Sequence, residues 1–330
     1  MKYTIVLLLI VPFFIFSSCE QNAKSKRAKS KQKKSVVVPK FNADSAYAFV
    51  KKQVDFGPRV PGTKAHNACA DWLVERLESY SDTVIVQAFR ARTYDEVTRN
   101  GKNIIASFSP EKKKRILLMA HWDTRPFADH DADQEKHRTP IDGANDAGSG
   151  VGVLLEMARQ FHLKQPDIGV DIVLFDLEDW GPPTDLGIYD EKNWCLGSQY
   201  WAKNPHVYRY DASFGILLDM VGAKDAIFPK EHYSLQYARY VVDLVWHIAL
   251  KLDYGNTFVN QNGGGTIDDH IFVNRIANIP SIDIIHLDPE SSNHSFFEHW
   301  HTVSDNMDQI DKQSLGIVGQ VVMTVVYNED

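Results

Sequence analysis

The chain has 330 residues, a formal net charge of −7 and 44% hydrophobic residues, enough for one large domain with a substantial core. Without residues 1–40, 27 Lys and Arg face 42 Asp and Glu, which makes nucleic acid a poor partner for the remaining body. Three cysteines are too few for a framework of disulfides.

Residues 1–19 carry Lys2, an almost wholly apolar stretch over 4–16, then Ser17 and Ser18 before Cys19. A charged start, an apolar run and small residues before a cysteine read as a secretory signal peptide with a loose lipoprotein box. The box resembles those of bacterial lipoproteins, with Phe16 where many have Leu. The apolar run, about thirteen residues, is short of the ~20 that a spanning helix needs, and a short uncleaved anchor is the other reading. The expectation is an exported protein lipidated at Cys19, on the periplasmic face of a bacterial membrane, or periplasmic or secreted if not lipidated. Residues 20–40 include seven Lys or Arg between Lys24 and Lys34. Such a run buries little apolar surface and reads as a flexible tether attracted to anionic lipid headgroups. With Cys19 lipidated, Cys69 and Cys195 remain, and spacing alone leaves open whether they pair.

The body, 41–330, opens with helices over 44–55 and 65–80, for which Asp44 and Thr63 are the candidate caps. Strands follow over 83–89, 103–108 and 115–120. Residues 122–145 are polar and have no regular period, and loops of that length are usually functional or mobile. An apolar helix over 148–161, a strand over 170–177, a short helix over 195–203 and a strand over 214–220 come next. A long helix over 237–252, a strand over 281–287 and a closing helix over 312–327 complete the chain. Strands alternating with helices predict a single three-layer α/β domain, its central mixed and mostly parallel sheet flanked by helices.

The apolar strand from Val170 ends in Glu178 and Asp179, ahead of Trp180, Gly181, Pro182 and Pro183. Ligands of open α/β sheets bind beyond the carboxyl ends of the strands. Two adjacent carboxylates there repel each other and lose hydration, so a cation or a shared proton has to offset the cost. Taken alone, the pair is more often an ordinary acidic loop. Other strand ends add His121 and Asp123, Asp146 in a Gly-rich turn before the helix at 148, Asp219, and later Trp300 and His301. Carboxylate oxygen and imidazole nitrogen are ligands that zinc accepts.

In this order the motifs resemble the zinc aminopeptidases of the co-catalytic exopeptidase superfamily. Three stretches resemble its glutaminyl cyclases more closely: Leu217–Ala223 around Asp219, Ile267-Asp268-Asp269-His270, and Trp300-His301-Thr302 with Asp305 and Asn306. The resemblance runs from about residue 42 to the C-terminus. It implies one zinc held by Asp146, Asp179 and His301, with Glu178 as acid and base. It also implies a hydrogen-bonded acid network completed by Asp219 and Asp268, and Trp300 lining the pocket for a glutamine side chain, with Trp180 or Trp194 as further apolar walls. Peptides with N-terminal glutamine would be the partners. His121 matches a position that in two-metal aminopeptidases binds a second zinc, together with Asp219 and a bridging Asp146. Many relatives have Glu-Glu where this chain has Glu178-Asp179, so the ligand or the metal must shift by one methylene, roughly 1.5 Å. His270 is read as a cap or brace for the short helix after Asp269, and His299 as facing away. The competing readings are a two-zinc metallo-aminopeptidase and a surface lipoprotein that uses the same fold for binding only.

Overall fold

The computed structural model describes residues 36–329; the expected signal peptide, Cys19 and the basic run of the expected tether lie outside them. Six strands form one sheet: β1 (Thr83–Arg92), β2 (Thr98–Phe108), β3 (Arg115–His121), β4 (Gly169–Phe175), β5 (Gly215–Asp219) and β6 (Ser281–Ile285). Their order across the sheet is β1-β2-β4-β3-β5-β6. The β1/β2 and β2/β4 pairs are antiparallel, and β4/β3, β3/β5 and β5/β6 are parallel. The expected mixed, mostly parallel sheet is therefore present. Every residue of β3 and β4 is buried, as expected for strands covered on both faces.

The helices are α1 (Ala43–Val54), α2 (Lys64–Glu78), α3 (Gly148–Leu163), α4 (Leu196–Lys203), α5 (His232–Lys251), α6 (Asp269–Phe272) and α7 (Lys312–Asn328). The caps differ in part from expectation. Thr63 does cap α2, accepting from the His66 amide, but Asn42 and not Asp44 caps α1. Asp44 lies in the first turn and pairs with Lys312, 2.6 Å away. The α5 helix starts earlier than its apolar period shows because Glu231 accepts from the amides of Tyr233 and Ser234, and the helix breaks at Ala238 (φ −143°, ψ 46°). The regular stripe of Val241, Val242 and Val245 begins beyond that break. Strand β2 extends five residues further toward its start than expected, since the hairpin stays paired out to Arg92 and Thr98. Val36 and Val38, from the end of the segment read as tether, pack against the core.

One glycine brings α3 onto the sheet. A Cβ on Gly150 would lie 2.1 Å from the Leu218 carbonyl oxygen, so only glycine permits this approach of α3 to β5. The amino end of α3 is thereby held over the carboxyl ends of β3, β4 and β5, where the acids and histidines lie.

Candidate active site

Each acid is placed by a separate backbone device. Asp146 follows a tight turn at Gly143, whose φ is +58° and where a Cβ would meet the Asp146 carbonyl at 2.3 Å. The turn is braced from both sides. Asp305 accepts from the amides of Asn145 (2.8 Å) and Asp146 (3.1 Å), and the buried Arg59 donates to the carbonyls of Asp142 and Gly143. Beyond β4 the chain turns at Leu177 with φ 57°, and the Asp123 carboxylate accepts from the amides of Glu178 (3.2 Å) and Asp179 (3.3 Å). Both acids therefore take their orientation from one anchor.

The side chains converge in two sets that share Asp146. In the first, His301 Nε2 lies 3.3 Å from Asp179 Oδ1 and 3.6 Å from Asp146 Oδ2. In the second, His121 Nε2 lies 3.0 Å from Asp146 Oδ1 and 3.3 Å from Asp219 Oδ1. All five residues are buried. The residues expected as ligands thus meet, and the distances between them are those of atoms that can share one small cation. Asp179 Oδ2 is buried without a hydrogen-bond partner, an orphan acceptor of the kind a cation would satisfy. Burial lifts the Asp179 carboxyl well above the usual range, and Asp146 adds repulsion. Burial and the Arg125 charge push His301 down to about 3, leaving the neutral imidazole that a metal needs. Oxygen, oxygen and imidazole nitrogen without thiolate fit zinc.

Glu178 stands outside the first set. Its Oε1 accepts from the Cys195 thiol at 3.2 Å, and its Oε2 lies 3.7 Å from His121 Nδ1. Burial raises its carboxyl well above the usual range, with Asp179, Asp268 and Asp269 adding to the rise against the pull of His121. Burial also pushes Asp219 up to about 7 against its bond from His121. The two residues expected to complete an acid network have different direct partners: Asp219 bonds His121, whereas Asp268 accepts from the Asp269 amide at 2.5 Å. Asp268 still faces the cavity, within ligand distance of Glu178 and Cys195.

The acids floor a cavity of about 60 Å³ that Trp194, Trp300 and Phe296 wall. An outer cavity of about 410 Å³ continues from it along Trp194, Trp300, Ile188 and Tyr189. The Trp300 ring stacks on His301, centroids 3.8 Å apart. Trp180 faces elsewhere. Its ring lies 4.0 Å from the Arg99 guanidinium and packs with Phe89, Leu177 and Leu196, so among the two candidate loop tryptophans Trp194 is the wall. Cys69 and Cys195 are both free and buried. His270, read as a brace, lies inside α6 with Nε2 3.3 Å from Glu231 Oε2, and His299 lines neither cavity. Phe296 and Arg125 carried no signal in the sequence, since each is one ordinary residue in an irregular segment, and Cys195 stood out only as one of two remaining thiols.

Comparison with known proteins agrees with this geometry. The model of peptidase family M28 matches residues 103–326. A glutaminyl cyclase from Bacteroides thetaiotaomicron, solved with N-acetylhistamine bound, is 53% identical with a TM-score of 0.87, covering 89% of this chain and all of that one. A Zn-dependent exopeptidase from Parabacteroides distasonis is 54% identical at the same TM-score and coverage. The bovine glutaminyl-peptide cyclotransferase is 26% identical over 302 residues, 81% of this chain and 77% of its own length. The chain belongs to peptidase family M28 and, within it, to the glutaminyl cyclase group.

Proposed function

We propose that this protein converts the N-terminal glutamine of peptides to pyroglutamate with release of ammonia, using one zinc held by Asp146, Asp179 and His301. The observation that carries the reading is the position of Glu178, a buried carboxyl of raised pKa beside the ligand set and inside a small aromatic chamber. Zinc, when bound, supplies a positive centre for the charge that develops on the side-chain amide oxygen. Trp194, Trp300 and Phe296 hold the glutamine folded so that its α-amine faces its own side-chain carbonyl carbon, a gain in proximity. As the bond from amine nitrogen to that carbon forms, Glu178 accepts the amine proton. It then returns the proton to the amide nitrogen as the old carbon–nitrogen bond breaks, and ammonia leaves. A carboxyl raised toward the working pH is suited to both transfers. Asp268 and Asp219, lining the same cavity, are placed to hold the ammonium-like leaving group. The apolar walls keep out water, which would otherwise compete as nucleophile.

The second set, His121, Asp146 and Asp219, favours a two-zinc aminopeptidase as the alternative. Incubation with Gln-peptides and with aminoacyl chromogenic substrates separates the two. Ammonia released from a peptide of unchanged length is expected; free amino acid would overturn the cyclase reading. Metal analysis of the purified protein is expected to give one zinc per chain, and two would support the alternative. The start of the chain supports export and a lipid anchor at Cys19, with the basic run facing anionic headgroups. Metabolic labelling with a fatty acid, lost in Cys19→Ala, tests that anchor.

A further inference from the structure

One buried guanidinium lies behind the ligand set. Arg125, 1% exposed, sits in the segment 122–145, which lacks any regular period. Its Nε and Nη2 grip both oxygens of Asp129 at 2.8 and 2.7 Å. Nη1 donates to the carbonyl of Asp179 (3.2 Å) and to its Oδ1 (3.4 Å), and Nη2 also to the carbonyl of Pro182 (3.3 Å). The guanidinium carbon stands 4.9 Å from the centre of the Trp194 ring. Asp129 in turn accepts from the amide and hydroxyl of Thr184 at 2.9 and 2.7 Å, and its Oδ1 lies 3.6 Å from His301 Nδ1.

We propose that Arg125 and Asp129 form a positioning pair that presets two of the three zinc ligands, Asp179 and His301, and ties them to the tryptophan wall of the substrate cavity. The planar fork explains why arginine serves here. Its five donors point in fixed directions and meet a carboxylate, two carbonyls and a ligand oxygen at once. A lysine has one charged centre and no fork. Asp129 faces the ring nitrogen that does not face Asp179, at 3.6 Å, close enough to bias the imidazole by charge but beyond hydrogen-bond distance. A buried cation this close to a zinc site also has a cost, because it repels the metal. Asp129 offsets that charge, which makes the two residues one functional unit. Burial pulls the Arg125 charge down, and the bonds from Asp129 outweigh it.

The inference rests on the zinc set proposed above but not on which reaction that set performs. The test measures zinc affinity by competition with a chromogenic chelator in full-length protein, for Asp129→Asn and Arg125→Lys, with Lys136→Ala as a control from the same segment. Asp129→Asn keeps the shape of the side chain, so it is the deciding variant if Arg125→Lys fails to fold. Zinc affinity is expected to fall roughly 10- to 100-fold in both and to stay unchanged in the control. The thermal midpoint of the zinc-free form should fall in both, because each leaves a buried charge without its full partner, and excess zinc should restore turnover of folded Asp129→Asn toward that of the wild type. Affinity within twofold of wild type in a folded Asp129→Asn would overturn the role of the pair. Wild-type protein that binds no zinc at all would instead overturn the ligand set, so the two failures are distinguishable.

Discussion

Glu178 and Asp179 share one anchor, the Asp123 carboxylate under their two amides, and diverge from it: Asp179 turns to His301, Glu178 to Cys195 and His121. Removing one side chain should therefore not mimic removing the other. Glu178→Gln is expected to keep zinc at the wild-type level and lose turnover by at least the 10²–10⁴-fold typical of a general acid–base. Asp179→Ala and His301→Ala are expected to lose the metal; metal analysis of the three purified variants checks this, and loss of zinc from Glu178→Gln would refute the division. The tryptophans provide a second contrast. Trp194→Ala should raise KM for a Gln-peptide about tenfold, equivalent to about 1.4 kcal/mol, because it opens both cavities. Trp180→Ala should leave KM where it was, since that ring packs under Arg99. Equal effects on steady-state kinetics would show that the wall has been misplaced.

At the scale of elements, the site depends on how closely α3 approaches the sheet. Gly150 lies against the Leu218 carbonyl, one residue before Asp219, so a methyl group there must push the helix or the strand. Gly150→Ala is expected to cost roughly 1–3 kcal/mol of stability, the usual range for overpacking, seen as a lower denaturation midpoint with an unchanged slope. The segment 122–145 illustrates a different relation. It has no apolar period, yet its first residues, 122–126, are all buried, held by Trp122 in the core and by the bonds of Asp123 and Arg125. A polar loop that is buried through ion pairs looks, in sequence, the same as one that is solvated.

For the molecule as a whole, the two ends of the sheet carry different electrostatics. At the end away from the acids and histidines of the site, Asp171 accepts from the Ser107 and Tyr210 hydroxyls and from Arg115. Burial works against its charge, but His206, 3.8 Å away, and the bonds from Arg115 hold the carboxyl well below the usual range. A depressed carboxyl contributes stability that is complete above its unfolded pKa, near 3.9, and is lost as pH falls through the folded value. Thermal melts between pH 5 and 2 should therefore fall less steeply in Asp171→Asn than in wild type, although the variant is less stable at pH 7. Parallel acid limbs would remove Asp171 from the account of acid unfolding.

Sequence alone carried the architecture, since apolar runs and their 3.6- or 2-residue periods report burial that is local to each element. Through the resemblance of its motifs it also pointed to Asp146, Asp179 and His301 as a proposed ligand set, three side chains that the structure brings together. What only the tertiary structure decided were contacts between segments far apart in the chain. Among these are the turn of Trp180 away from the cavity and the convergence of Arg125 and Asp129 on Asp179 and His301. Each depends on a side-chain direction and a partner more than 20 residues away or on an isolated polar bond. Neither leaves a periodic trace in the order of residues.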